Sequence, residues 1–292
     1  MKRIITFLAG LLSLAISYTT GAQQKAGPKD QSLLWRISGK HLAKPSYLFG
    51  TIHLICVDDY LWTPKMKESL AKSDKICFEM NLNDPNVMVQ AALGLMDTSG
   101  KTLKDYFTPE QYTILKNYLK DSAGLDISLF EQMKPIALQS IIGTTGLNCD
   151  NPISYEDSIM KTGLKDNKEI TGLEEPAEQI NVLESIPVDT VVKQLLDDIK
   201  NNNTNDSEYW KLISAYKRQD LPALYELISS SKELGDDMGV FLNDRNKKWI
   251  PRIAGKMQQS SIFFAVGAGH LWGKDGVINL LRKDGYKVEP MK

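Results

Sequence analysis

The chain has 292 residues, 42% hydrophobic and 24% charged, an ordinary composition for a globular protein that buries a substantial core. Its 35 basic and 36 acidic residues give a net charge of −1, and no segment forms a dense basic patch. This balance argues against nucleic acid, or an anionic membrane surface, as a partner held by bulk electrostatics.

The N-terminus has the pattern of a secretory signal peptide over residues 1–22. A basic start, an apolar run over residues 4–16 and the small-residue site Thr20-Gly21-Ala22 follow one another. The run is shorter than the ~20 residues that cross a bilayer, and no later segment is apolar for that length. We predict an exported chain, periplasmic or secreted, that begins near Gln23 and has no transmembrane segment when mature. An uncleaved N-terminal tether is the alternative.

A hairpin and a histidine loop follow a polar, flexible leader over residues 23–32. Residues 33–37 and the apolar run Tyr47-Leu48-Phe49-Gly50 predict two neighbouring strands. The second run continues as Gly50-Thr51-Ile52-His53. Glycine there permits a close approach of the backbone or a positive φ. We expect a single domain over residues 33–292.

A helix and a further strand complete this N-terminal unit. Thr63 and Pro64 predict an N-cap and a first helical position, with the helix running to about Ala71. The run Lys75-Ile76-Cys77-Phe78-Glu79-Met80 predicts the next strand.

The C-terminal forty residues repeat this order of elements. Strand residues 262–266 lead into Gly267-Ala268-Gly269-His270, then a helix from about Gly276 to Lys283 and a strand over residues 286–289. Parallel strands joined by right-handed crossovers would place both Gly-x-x-His loops at one sheet edge.

The segment between the two units, about residues 85–260, is predicted to be mostly helical. It has one strand near residues 168–173 and helices near residues 207–217, 221–230 and 236–257. The predicted fold class is therefore α+β: a central sheet formed by two similar βαβ units from the N- and C-terminal parts, with a large helical insertion between them.

Two of the three histidines, His53 and His270, lie in the same local setting. Imidazole offers a neutral nitrogen to a divalent metal, or a base near neutral pH. A lone histidine at a strand end is more often structural, but two in equivalent loops favour a functional site. The third, His41, has the polar neighbours of a surface residue.

Two histidines need at least one carboxylate to hold a divalent ion, since two neutral ligands leave its charge uncompensated. Glu79, at the end of its strand, is the best candidate, and a solvent-facing glutamate on an edge strand is the alternative. Glu174 follows another strand with the same geometry, and its neighbours Glu175 and Glu178 could instead complement a helix N-terminus near Pro176.

Arg245 lies in a predicted helix, where an arginine could orient a carboxylate or stabilise an oxyanion; the alternative is a surface arginine. No Gly-x-Ser-x-Gly elbow supports serine hydrolysis. The Gly267-Ala268-Gly269 sequence lacks the third glycine of a dinucleotide fingerprint.

The three cysteines, Cys56, Cys77 and Cys149, are an odd number, so an exported chain leaves at least one unpaired. No Cys-x-x-Cys pair suggests a zinc ribbon or a thioredoxin-like site. Cys56 and Cys77 could lie close together, but the sequence leaves open whether they bridge. We interpret all three as partly buried small hydrophobes.

Several of these segments together resemble the TraB/GumN family, over nearly the whole mature chain and in the family's order. The matching segments are Tyr47-Leu48-Phe49-Gly50-Thr51-Ile52-His53, Phe78-Glu79, Gly172-Leu173-Glu174-x-x-x-x-Gln179, Asp244-Arg245-Asn246-x-x-Trp249 and Phe264-Ala265-Val266-Gly267-Ala268-Gly269-His270-Leu271-x-Gly273.

That family is grouped with Tiki-type metalloproteases and is more distantly similar to erythromycin esterases and ChaN-like haem-iron binding proteins. The resemblance implies an α+β fold with duplicated βαβ units and a site of His53, His270 and Glu79, with Glu174 and Arg245 in support. It also implies a divalent metal, manganese or cobalt, with zinc as the alternative.

Three hypotheses follow. The first is an exported metal-dependent hydrolase, a peptidase acting on a peptide or envelope-derived substrate. Its metal would be held by His53, Glu79 and His270, with Glu174 or another carboxylate moving a proton and Arg245 stabilising an oxyanion. The second is a non-catalytic envelope protein that binds a metal, a haem-like ligand or a peptide in the same cleft. The third is a scaffold whose histidine loops are structural. The oligomeric state stays open.

Overall fold

A computed structural model describes residues 31–145, 149, 151–200, 205–230 and 239–292. The predicted signal peptide, and the leader except Gln31 and Ser32, lie outside these residues. None of the described helices is both long and apolar enough to cross a membrane.

Eight strands are present in the described residues, numbered in chain order: β1 (Leu34–Ser38), β2 (Ser46–Thr51), β3 (Ile55–Cys56), β4 (Lys75–Phe78), β5 (Pro152–Ile153), β6 (Glu169–Gly172), β7 (Ile262–Gly267) and β8 (Lys287–Pro290). Six form one mixed sheet in the order β6-β4-β7-β2-β1-β8, and β3 pairs with β5 in a separate two-stranded sheet.

Eleven α-helices occur in the same residues: α1 (Pro64–Lys72), α2 (Pro85–Gly94), α3 (Pro109–Ala123), α4 (Pro135–Thr145), α5 (Tyr155–Lys165), α6 (Pro176–Glu184), α7 (Val188–Lys200), α8 (Asn205–Lys217), α9 (Leu221–Ser229), α10 (Asp244–Gln259) and α11 (Val277–Lys283).

The central sheet confirms the predicted α+β class and the N-terminal hairpin. β1 and β2 pair antiparallel, with Leu34 opposite Phe49. The strands β6, β4, β7 and β2 are parallel neighbours. The description as two similar βαβ units stays a prediction. β7 lies between β2 and β4, and β8 pairs with β1, so both C-terminal strands of this sheet pair with N-terminal strands.

Helix boundaries follow their capping residues where these are present. The Thr63 side chain accepts a hydrogen bond from Met66 N, and Pro64 takes the first helical position of α1, as predicted. By contrast, α10 begins at Asp244, well after the predicted position 236, which lies outside the described residues. A π-helical turn over Gly239–Asn243 precedes it.

Two apolar clusters form the core. The larger covers the central sheet and includes Trp35, Phe49, Phe263 and Trp249. The smaller lies among α3, α4 and α7. Close packing also explains the first glycine of the N-terminal histidine loop. A Cβ on Gly50 would lie 3.1 Å from the Cα of Ala268 and 3.0 Å from the Leu271 side chain.

The cysteines differ from our interpretation of them as small hydrophobes. Cys56 and Cys149 form a disulfide, because the pairing of β3 with β5 brings their segments together. The interpretation is therefore wrong for these two residues. Cys77 is buried and unpaired, as the odd number requires.

Candidate functional site

Four parallel strands end at one edge of the sheet, and a polar side chain follows each of them. Glu174 follows β6, Glu79 follows β4, His270 follows β7 and His53 follows β2. Since the strands run in the same direction, their carboxyl ends share the edge at which ligands bind in open α/β sheets. The fold thus brings both Gly-x-x-His loops and both candidate carboxylates to one edge.

Glu79 lies at the centre of this edge. Its Oε1 accepts a hydrogen bond from Gly267 N at 2.9 Å, and its Oε2 accepts one from Arg245 Nη2 at 2.6 Å. Burial opposes the charge, but interactions with His270, Arg245 and His53 outweigh it and lower the pKa of Glu79 to about 2. Glu79 is therefore ionised at neutral pH.

Arg245 connects the two carboxylates and the buried histidine. Its Nε donates to both oxygens of Glu174 at 3.0 and 3.2 Å, and its Nη2 also donates to Glu174 Oε2 at 2.8 Å. Nη1 donates to the Phe241 carbonyl at 3.2 Å and lies 3.2 Å from His270 Nε2. Together with the Glu79 bond, these contacts occupy all five guanidinium N–H groups.

This arrangement argues against two of the predicted roles. Arg245 has no N–H group left to stabilise an oxyanion. The Glu174 side chain is 1% exposed and is bound by Arg245, so it has no path along which to pass a proton to water. Arg245 instead orients the Glu79 and Glu174 carboxylates, which is the first of its two predicted roles, and it is not a surface arginine. Glu175 and Glu178, the acidic neighbours of Glu174, form the capping box of α6, as their predicted alternative has it.

The hydrogen bonds of His270 define its tautomer. Asn246 Nδ2 donates to the carbonyl oxygens of His270 and Asp275, so Asn246 Oδ1 is the atom that faces His270 Nδ1, at 2.7 Å. We therefore assign the proton to Nδ1. Nε2 then carries the lone pair, which accepts the hydrogen bond from Arg245 Nη1. Nε2 is 3.8 Å from Glu79 Oε1.

Packing holds the His270 ring in this orientation. The fully buried Trp249 indole lies against it, with ring centroids 4.3 Å apart, and the Arg245 guanidinium lies 5.1 Å from the Trp249 ring. Burial lowers the pKa of His270 to about 3, despite the opposing charge of Glu79. The imidazole is neutral at physiological pH and can act as a ligand or a base.

His53 is placed differently from the other four predicted residues. Its side chain is 81% exposed, and its Nδ1 lies 3.4 Å from Glu156 Oε1. The Glu156 carboxylate raises the pKa of His53, although water screens an interaction so open to solvent. His53 also interacts electrostatically with Glu79 and His270. It therefore lies near the site without packing into it.

The arrangement falls short of a complete three-ligand metal centre. Within the described ranges, no group of three or more His, Cys, Asp and Glu side chains is arranged to hold a metal ion. Of the three predicted ligands, Glu79 and His270 come together and His53 contacts Glu156 instead.

Four further residues belong to the site, and reasoning from the sequence assigned them no role. Gln179 Nε2 donates to Glu174 at 3.2 Å and to Glu79 at 3.4 Å. Asn246 and Trp249 hold His270, and Glu156 contacts His53. Gln179, Asn246 and Trp249 stand in the segments that carry the family resemblance, and Trp249 lies three and four residues after Asn246 and Arg245 on one helix; these were the available signals. Nothing local singled out Glu156.

Comparison with known proteins identifies the family of this chain. The profile of the TraB/PrgY/gumN family matches residues 33–290. Metalloprotease TIKI1 of Danio rerio is 24% identical over 315 residues, which cover 88% of this chain and 63% of the relative. For the Metalloprotease TIKI homolog of Amphimedon queenslandica, the identity is 24% over 341 residues, or 95% and 65% of the two chains.

The human relative gives a similar result. Metalloprotease TIKI1 of Homo sapiens is 22% identical over 315 residues, which cover 88% of this chain and 61% of the relative. The chain thus spans less than two thirds of the length of these relatives. No solved structure gives a significant match.

Proposed function

Because the chain belongs to the TraB/PrgY/gumN family, we propose that it is an exported, divalent-metal-dependent hydrolase that cleaves peptide bonds. The relatives named metalloproteases support the metal dependence and the substrate class. The signal-peptide pattern of residues 1–22 supports export. The substrate would be a peptide or an envelope-derived molecule.

The observation that carries this proposal is the pairing of His270 with Glu79. A neutral imidazole, whose unprotonated Nε2 accepts a hydrogen bond from Arg245 Nη1, lies 3.8 Å from an ionised carboxylate oxygen, and an ion at Nε2 would replace that hydrogen bond. Glu79, Glu174 and Arg245 have a formal net charge of −1, which leaves one negative charge for a cation to balance. Divalent ions prefer imidazole nitrogen and carboxylate oxygen as ligands, and they prefer a site with net negative charge.

We assign the ion to Glu79, His270 and His53. A divalent ion would supply Lewis acidity and make water a nucleophile near neutral pH. Manganese or cobalt fits the family resemblance, with zinc as the alternative. The chain's own residues orient the donors: Arg245 fixes Glu79 and Asn246 fixes His270, while the exposed His53 side chain contacts Glu156.

A peptide-library screen tests this function. We expect the purified chain, beginning near Gln23, to cleave peptides when manganese, cobalt or zinc is added, and to stop when the metal is chelated. His53→Ala and His270→Ala variants should retain the wild-type circular dichroism spectrum and lose cleavage. Full hydrolytic activity in either variant would refute the mechanism.

A second candidate is a binding protein without turnover, which would hold a metal, a haem-like ligand or an envelope peptide in the same cleft. The contact between Arg245 Nη1 and His270 Nε2 favours its peptide-binding form, because a cationic group already faces the histidine lone pair to which a metal or haem iron would bind. Glu79→Gln separates the two functions. Loss of cleavage with retained ligand binding supports the enzyme, whereas a wild-type protein that binds but never cleaves supports the binding protein.

A further inference from the structure

The carboxylate of Glu156 is built into the structure beside His53. Its side chain is 13% exposed, and two hydroxyl groups hold it: Thr51 Oγ1 donates to Oε1 at 2.7 Å, and Ser154 Oγ donates to Oε2 at 3.2 Å. Both donors are uncharged hydroxyl groups, so neither forms an ion pair with the carboxylate, which can still pair with a third group. His53 Nδ1, 3.4 Å from Oε1, is that partner.

The two segments that carry His53 and Glu156 are joined in three ways. β3 pairs with β5, with Ile55 opposite Ile153. The Cys56–Cys149 disulfide links the same segments covalently. Tyr155 also ties the start of α5 to the first segment, since its hydroxyl group hydrogen-bonds both Leu61 N, at 2.9 Å, and Leu61 O, at 3.1 Å. The position of Glu156 relative to the histidine loop is therefore fixed.

Glu156 does not simply complement the α5 dipole. The first turn of α5 contains two acidic residues, Glu156 and Asp157, and either would interact favourably with the helix N-terminus. Asp157 contacts the exposed Lys161 at 2.6 Å. Glu156 contacts Thr51 and His53 instead. A helix that needed only negative charge would not place this carboxylate against the histidine loop.

We propose that Glu156 is a positioning residue for His53: its carboxylate accepts the Nδ1 proton and so leaves Nε2 free as a ligand. The inference rests on the proposed function, in which His53 binds the ion. Carboxylates that accept the second ring N–H of a ligand histidine fix its tautomer and orientation in metal sites, and their loss weakens metal binding about 10–100-fold. His53 Nδ1 lies 3.4 Å from Oε1, just beyond the normal hydrogen-bond distance, so the proposal requires a small rotation of the exposed ring.

The first test reads the tautomer directly and needs no metal. Long-range ¹H–¹⁵N spectra of the full chain, at a pH where the imidazoles are neutral, should show the His53 proton on Nδ1. In Glu156→Ala it should move predominantly to Nε2, the form that free imidazole prefers. Glu156→Gln, which keeps the size and a weaker acceptor, should lie between them. Asp157→Asn is the matched control and should resemble the wild type.

Either of two results would overturn the proposal. One is a wild-type His53 with its proton on Nε2. The other is an unchanged tautomer in both Glu156 variants, provided that one of them is folded by circular dichroism. Neither result depends on catalysis.

The second test measures Mn²⁺ affinity by titration calorimetry on the same variants. We expect about 10–100-fold weaker binding in Glu156→Ala and no change in Asp157→Asn. Equal affinity in Glu156→Ala and the wild type would contradict the positioning role. If the wild type binds no Mn²⁺, Co²⁺ or Zn²⁺, the proposed function fails, and the tautomer result alone decides the role of Glu156.

Discussion

Arg245 shows how the hydrogen bonds of a single side chain limit what it can do. Its five N–H groups are all used, on two carboxylates, a carbonyl and an imidazole. Desolvation opposes its charge, but Glu79 and Glu174 outweigh that effect and raise its pKa. The residue is a fixed cation that holds the site together.

Removing this cation should destabilise the fold. We expect Arg245→Ala to lower the free energy of unfolding by about 3–5 kcal/mol, because the buried Glu174 carboxylate loses its cationic partner. Chemical denaturation measures the loss. Lys247→Ala is the control on the same helix: its ion pair with Asp244 is exposed, so the loss should be about 0–1 kcal/mol. Equal losses in the two variants would contradict this account of Arg245.

Asn246 should matter for metal affinity as well as stability. Asn246→Ala removes the acceptor of the His270 Nδ1 proton, so we expect about 10–100-fold weaker Mn²⁺ binding by titration calorimetry. It also leaves buried polar groups unsatisfied, which should cost about 1–3 kcal/mol of unfolding free energy. Asn279→Ala removes a hydrogen bond to the Lys274 carbonyl away from the site, so it should leave the affinity unchanged and cost less stability than Asn246→Ala. Unchanged affinity in Asn246→Ala would argue against His270 as a ligand.

At the scale of elements, the site forms where one helix packs against one edge of the sheet. The first turns of α10 carry Arg245, Asn246 and Trp249, and these reach the residues that follow β4, β6 and β7. A second contact, between the His53 loop and the start of α5, depends on the short β3–β5 pairing and on the Cys56–Cys149 disulfide.

That disulfide should contribute measurably to stability. It joins residues 93 apart, so its loss should lower the free energy of unfolding by about 2–4 kcal/mol in a Cys56→Ser/Cys149→Ser double variant. Dithiothreitol should lower the stability of the wild type to the same value and leave the double variant unchanged. If the oxidised wild type and the double variant unfold at the same denaturant concentration, the disulfide does not stabilise the fold.

At the scale of the whole molecule, local sequence predicted the parts of the sheet but not their order. The sequences of β2, β4 and β7 are short, apolar and bounded by turn residues, so these strands could be predicted from the sequence. The insertion of β7 between β2 and β4 joins the two ends of the chain. Such long-range pairing depends on tertiary packing, which no local pattern records.

The site was predictable to the same degree. His270 and Glu79 each end an apolar strand, which makes them visible in the sequence. The sequence offered two roles for Arg245 without selecting the orientation of a carboxylate, and it did not reveal the partner of His53, because both depend on contacts between distant segments. Thr51 and Glu156, for example, are 105 residues apart. The cysteine pairing was missed for the same reason, since β3 and β5 are too short to predict.

The most direct test of the proposed metal site is titration calorimetry of the chain from about Gln23 with Mn²⁺, Co²⁺ and Zn²⁺, beside His270→Ala. His41→Asn is the matched control, because His41 has a φ of 63° and asparagine tolerates that conformation. We expect one ion per chain in the wild type and in His41→Asn, and none in His270→Ala. No binding in the wild type, or equal binding in His270→Ala, would contradict a metal centre at His270 and Glu79.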